Sequence, residues 1–243
     1  MFSKAQITET KKLHQKKYRK EYGQFIVEGL KGVQEAIDAN AKIVSIFATQ
    51  AVRHEIKISK DLVIETITET EGQKMTNTET FPGVMAIISI PTDQKFSHGP
   101  IVCLDRVSDP GNMGTIIRTA DWFGIKNILI SEDSVDPYNP KVVRSSMGSI
   151  FHTSIIETEN LIEALRELKK NKYNIVSLDM EGKDISKIKV ENNTVYVFGS
   201  ESHGVREEIL ELGDSYSILG HGDAESLNVA VSVGITLNQV FGK

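Results

Sequence analysis

Residues 101–130, IVCLDRVSDPGNMGTIIRTADWFGIKNILI, decide how this chain folds. An apolar run from Ile101 ends in Asp105, a Pro-Gly turn follows, and a helical pattern then extends from about Asn112 to Phe123. On that helix Ile116, Ala120 and Phe123 share one face, and Asn112 stands where an N-cap is expected. A second apolar run, Asn127 to Ile130, completes a strand–helix–strand unit. Apolar strands without polar alternation are buried on both sides, which implies a mostly parallel sheet covered by helices on both faces. The alternation continues with a helix near Lys141 to Met147, a short strand around Ser154, a helix from Leu161 to Lys170, and strands at Asn174 to Leu178 and Thr194 to Phe198. In the last segment Val229, Val231 and Val233 alternate as in a strand. The run from Leu227 to Val240 is long for one, and length favours a buried helix capped by Ser226.

Before residue 92 the pattern is also α/β. A polar helix is expected over Lys4 to Tyr22, a strand over Gln24 to Glu28, and a helix over Leu30 to Ala39. Strands follow at Lys42 to Ala48, Asp61 to Ile67 and Gly83 to Ile90, with polar stretches at 50–56 and 69–76 suited to helices. The segment PTDQKFSHGP, residues 91–100, places two prolines and a glycine between two strong strands and reads as a domain boundary. A small α/β domain over 1–92 and a second domain over 98–243 are therefore expected, in keeping with 243 residues in all.

Composition is that of a globular protein, 40% hydrophobic and 25% charged. Lys4, Lys11 and Lys12 stand where a signal peptide would be apolar, and no run reaches ~18 apolar residues; a cytoplasmic protein with no membrane span is expected. One cysteine, Cys103, supports neither a disulfide framework nor a multi-cysteine zinc site. Residues 1–20 hold seven Lys or Arg against Glu9, a net of +6, leaving −11 on the remainder of a chain whose total is −5. Such a basic arm on an acidic body can steer a polyanion, because screening makes local charge count for more than the total.

Three polar, glycine-bearing segments stand out: Asn112 to Arg118, Gly199 to Gly204, and Ser226 to Asn228. The first two follow strands, where parallel sheets bind their ligands. Arg118 lies about 200° around its helix from Ile116 and so faces away from the core. Ser200, Ser202 and His203 do not form a G-x-S-x-G elbow, which argues against a hydrolase. His221, Asp223 and Glu225 make a polar loop rather than a metal site, and Gly220-His-Gly222 lacks the third glycine of a dinucleotide fingerprint.

Taken in order, DPGNMGTIIRTADWFG, FGSESHGV and ILGHGDAESLNVAVSVGI resemble the three motifs of the SpoU/TrmH-type RNA ribose 2'-O-methyltransferases of the SPOUT superfamily. DPYNPKVVRSSMGSIF, residues 136–151, also resembles that family, and KKYRKEYGQFIVEGLKGVQEAI resembles the substrate-binding domain that precedes many of its catalytic domains. The resemblance implies a SPOUT-type catalytic domain with a C-terminal trefoil knot, a rare exception to unthreaded chain topology. It further implies a homodimer that uses S-adenosylmethionine to methylate a ribose 2'-hydroxyl, in ribosomal RNA more than in transfer RNA, without a metal.

Carried onto this sequence, the family's cofactor positions are Gly199, Ile218 and Leu227, and its polar active-site positions are Asn112, Arg118, Glu201, Ser226 and Asn228. Arg118 is a poor base, since a guanidinium pKa exceeds ~12; gripping a phosphate and stabilising charge on the 2'-oxygen suit it better. Leu219-Gly220 replaces the family's common Pro-Met, a departure expected to weaken cofactor binding without abolishing it. The alternative reading is a non-catalytic RNA-binding paralogue of the same fold.

Overall fold

The computed structural model describes residues 4–58, 62–189 and 191–242; Asp61, the first residue of one expected strand, lies outside them. Contacts divide the chain into two units, the first running to Thr92 and including Asp136–Phe151, the second comprising Asp93–Val135 and the chain from His152. The chain therefore passes between units three times.

In the first unit the expected helix over Lys4 to Tyr22 is two helices, α1 (Lys4–Lys12) and α2 (Lys16–Tyr22). Between them Leu13 turns into the core, 1% exposed, and a ring nitrogen of His14 meets the Met75 carbonyl at 2.6 Å. There follow β1 (Gln24–Glu28), α3 (Leu30–Asp38), β2 (Ile43–Ala48), α4 (Gln50–Arg53), β3 (Ile64–Thr66), α5 (Glu69–Met75) and β4 (Val84–Ser89). Thr68 and Glu71 form a capping box that starts α5. The sheet order is β1-β4-β2-β3, antiparallel except for the β2–β3 pair. One of its faces buries Ile26, Phe47, Met85 and Ile87 against Leu13 and Met75.

The basic arm is thus a pair of packed helices, and one of its cations is used internally. Arg19, 2% exposed, donates from Nε and Nη2 to Asp136 Oδ2 at 2.8 and 2.6 Å, and from Nη1 to the Leu13 carbonyl at 2.8 Å. Asp136 opens the segment that the sequence boundary assigns to the second domain. Contacts that hold that segment in the first unit include this ion pair, Tyr138 and Phe151 packed on Phe25 at 4.8 and 6.3 Å, and Arg144, from α6 (Pro140–Ser145), on Glu28 at 2.8 Å.

The second unit contains β5 (Ile101–Leu104), α7 (Pro110–Trp122), β6 (Asn127–Ser131), β7 (Ser154–Thr158), α8 (Leu161–Lys170), β8 (Asn174–Asp184), β9 (Thr194–Phe198), α9 (Glu207–Leu210), β10 (Asp214–Ser217) and α10 (Val229–Phe241). All five strand pairings are parallel, in the order β10-β8-β9-β5-β6-β7. Ile101, Cys103, Val195 and Val197 point to one face, packed against Leu161 and Leu165 of α8 and Ile209 of α9. Val102, Leu104, Tyr196 and Phe198 point to the other, where Tyr196 meets Phe241 of α10 edge-on at 5.9 Å. Each such fully buried side chain contributes about 1.5–3 kcal/mol. The valine alternation in the last segment is accordingly helical, and α10 packs against α7. Among the described residues no helix is long and apolar enough to cross a membrane.

Candidate active site

From β5 the chain steps outward through β6 and β7, then crosses over, so that β8 and finally β10 lie on the opposite side, with β9 inserted beside β5. Strand order reverses between β5 and β9, and ligands of open α/β sheets bind beyond the strand ends at such a point. Leu104 pairs with Phe198, and Asp105 N–H donates to the Phe198 carbonyl at 2.9 Å, so the two following loops leave the sheet side by side.

The loop after β5 turns into α7 at Asp109, whose side chain accepts from Asn112 N–H at 2.8 Å, with Pro110 in the first helical position. Asn112 is therefore not the cap expected from sequence; a proline with its φ preset for a helix makes the preceding Asp the cap. The side chain of Asn112 is released for other work. At α10 the cap is Asn228 rather than Ser226: its Oδ1 accepts from Ala230 N–H at 2.9 Å and from Val231 N–H at 3.4 Å.

These two asparagines meet. Glu201, an acceptor when ionised, takes a hydrogen bond from Asn112 Nδ2, which leaves Asn112 Oδ1 to accept from Asn228 Nδ2 at 3.0 Å. Three of the sequence-selected residues, one from each polar segment, thus form one chain of hydrogen bonds.

Glu201 is held by a tight loop. Ser200 and Gly204 exchange backbone hydrogen bonds at 3.2 and 3.0 Å, and Ser200 Oγ accepts from His203 N–H at 3.2 Å. A Cβ on Gly199 would fall 1.9 Å from the carbonyl carbon of Gly204, so only glycine permits the closure. Asp105, fully buried, anchors this loop from below: its Oδ2 accepts from Arg206 N–H at 3.0 Å, and Nε of Arg206 and of Arg106 lie 2.9 and 3.3 Å from its Oδ1. Arg106, at φ 60°, also donates to the Gly204 carbonyl at 3.3 Å. Sequence reasoning missed these three residues; an acid closing an otherwise apolar strand was the available sign.

The remaining candidates are not joined to this cluster by contact. Arg118 is exposed and makes no hydrogen bond or ion pair among the described residues, as its angular position on the helix suggests. Ser226 and Leu227 lie in the exposed stretch leading to Asn228, and Ile218 is half-buried just beyond β10. Burial first, and the Asp105 charge second, push the Cys103 thiol well up, so it is no nucleophile. Among the described residues no group of His, Cys, Asp and Glu is arranged to hold a metal ion. A ligand held by backbone groups and apolar surface does fit: Leu219 and Leu227 are 58% and 47% exposed, and a Cβ on Gly220 or Gly222 would meet nothing within 4 Å.

A parallel sheet with its polar cluster at the switch point, preceded by a separate small α/β unit, defines a two-unit α/β enzyme architecture. The chain belongs to the SpoU rRNA Methylase family, which matches residues 99–238, while residues 4–86 match the MRM3-like substrate binding domain. It is 29% identical over 238 residues, 97% of this chain and 96% of the other, to the 23S rRNA (guanosine(2553)-2'-O)-methyltransferase RlmP of Bacillus subtilis. Its fold is similar to a putative RNA methyltransferase of the TrmH family from Porphyromonas gingivalis, with TM-score 0.91, 29% identity and 98% of each chain covered. It is also similar to an AdoMet-bound rRNA methyltransferase from Sinorhizobium meliloti, with TM-score 0.87, 29% identity, and 99% of this chain and 95% of that one covered.

Proposed function

We propose that the protein methylates a ribose 2'-hydroxyl of RNA with S-adenosylmethionine as donor. The observation that carries this reading is the Glu201–Asn112–Asn228 hydrogen-bonded chain at the switch point of a SpoU-family sheet. Bound there, the cofactor supplies a methyl group on a sulfonium. Gly199, Ile218 and Leu227 line its place, through backbone groups and the exposed apolar side chain of Leu227. Arg118, whose exposed side chain has no partner among the described residues, grips the phosphate beside the target ribose and stabilises charge developing on the 2'-oxygen. Asn112, Glu201, Ser226 and Asn228 orient the hydroxyl in line with the methyl, the larger part of the catalytic task. The joined asparagines favour this over the reading as a non-catalytic paralogue.

The substrate is ribosomal RNA in preference to transfer RNA, a choice supported by the activity named for the Bacillus subtilis relative. The enzyme works in the cytoplasm as a homodimer, with the segment leading to α10 threaded as a trefoil knot. Support for the dimer comes from the apolar side chains that the packed pair α7 and α10 leave exposed, Trp122 at 85%, Val231 at 48% and Ile235 at 39%. The test is transfer of labelled methyl to ribosomal RNA, followed by alkaline hydrolysis. Label in alkali-resistant dinucleotides is the expected result, and label on bases, or none, refutes the proposal.

A further inference from the structure

The first unit carries a hollow outside everything assigned above. The sheet face that packs on Leu13 and Met75 is open at one end, where β1 starts at Gln24 and β2 carries Ser45. There α1 stands off the sheet and leaves a space of about 120 Å³, four times the ~30 Å³ share of one water. Phe47 and Ile87 form its floor, Tyr22 one wall, and Gln6, Gln24 and Ser45 supply polar edges.

A second aromatic ring and two cations cluster beside Tyr22. Tyr22 lies 5.9 Å from Tyr18, and the ammonium groups of Lys12 and Lys17 stand 5.5 and 5.6 Å from the Tyr18 ring. Glu9, the acid that lines the hollow among the described residues, is paired with Lys12 at 2.7 Å, which offsets its repulsion of phosphate. A cavity with an aromatic wall, amide and hydroxyl edges and a basic rim matches a flipped-out base, which offers a flat face, hydrogen-bonding edges and an anionic backbone. A paired duplex offers the backbone, but neither an open base face nor a free Watson–Crick edge.

We propose that this hollow receives one unstacked nucleobase of the RNA substrate, stacked against Tyr22 and bonded at its edge by Gln24 and Ser45. The proposal rests on the reading of the protein as an RNA methyltransferase whose first unit contacts RNA. It adds a single-base subsite, which selects for RNA with an unpaired nucleotide besides the methylated one.

The test is anisotropy titration of the full-length protein with two RNAs of equal length, a single-stranded oligonucleotide and a blunt duplex. Tyr22→Ala and Gln24→Ala, and Ser45→Phe, which fills the space, are expected to weaken single-strand binding about tenfold, the equivalent of ~1.4 kcal/mol, and duplex binding less than about twofold. A Lys17→Glu variant is expected to weaken both. Melting curves matching the parent protein's establish that each variant is folded; Gln24→Ala carries the test if Ser45→Phe does not fold. If the hollow variants bind single strands like the parent while Lys17→Glu weakens both RNAs, the base subsite is refuted and RNA contact by the first unit stands. If Lys17→Glu also changes nothing, that wider reading falls with it.

Discussion

Asn228 Nδ2 donates to Asn112 Oδ1 at 3.0 Å, joining the cap of α10 to the first turn of α7 between residues 116 apart in the chain. The same Asn228 caps its own helix, so the cap and the link to Asn112 share one side chain. Asn228→Ala is expected to cost about 1 kcal/mol of stability, roughly 2–4 °C in melting temperature, through the lost cap. Methyl transfer should fall by about tenfold or more, because Asn112 and Glu201 lose their alignment. Asn228→Asp keeps the cap but brings an acceptor against Asn112. Calorimetric melting beside a methylation assay separates the effects: Asp should restore stability and not activity.

The exposed Arg118 side chain has no hydrogen-bond or ion-pair partner among the described residues, so its removal should leave the fold unchanged. Arg118→Ala is expected to lower kcat/KM on the order of 10²–10³-fold, while the S-adenosylmethionine Kd stays within about twofold. Isothermal titration and single-turnover methylation measure the two quantities. A parallel loss of cofactor affinity would remove Arg118 from the reaction group.

The glycines around the site differ sharply in what they tolerate. Gly199→Ala drives a methyl group into the backbone of Gly204 and should cost roughly 1–3 kcal/mol, along with most cofactor binding. Gly220→Ala enters open space and should leave both near their original values. Equal effects in a side-by-side cofactor titration would contradict the proposal that Gly199 lines the cofactor's place.

His14 gives the first unit a pH dependence. Burial, partly opposed by the Met75 carbonyl, lowers its pKa from 6.5, so between the two values the unfolded chain binds more protons than the folded one. The stability it confers is complete above about pH 6.5 and is lost as the pH falls through the lowered folded value. His14→Gln, which still donates to Met75, should melt with a weaker dependence on pH between about 7.5 and 5.5 than the parent. Identical slopes would show that His14 titrates normally.

The buried elements were legible in the sequence because their pattern is local. The bounds of β1, α8 and β9 coincide with their apolar runs. The polar strand β10 went unseen: Asp214–Ser217 pairs only with β8, at the sheet edge, and lacks the signature of a strand buried on both sides. The continuation of β8 through Met180 to Asp184 was missed for the same reason. At α7 the sign was present, since Asp-Pro announces a cap and first turn more strongly than Asn112 does. Arg19 was beyond reach, because nothing in KKYRKEY marks the cation whose partner lies 117 residues away. The resemblance of three ordered motifs to the SpoU/TrmH family picked out Asn112, Glu201 and Asn228, but only the folded chain could show their hydrogen bonds or reveal Asp105 beneath them.

The return of residues 136–151 to the first unit has a consequence during synthesis. A bead-like domain finishes folding before the next one leaves the ribosome. Here the Arg19 guanidinium waits for Asp136, and Glu28 for Arg144, until β5 and β6 have already been made. Maturation of the two units must overlap in time, and a nascent chain halted at residue 92 carries a buried cation and a buried acid without these partners.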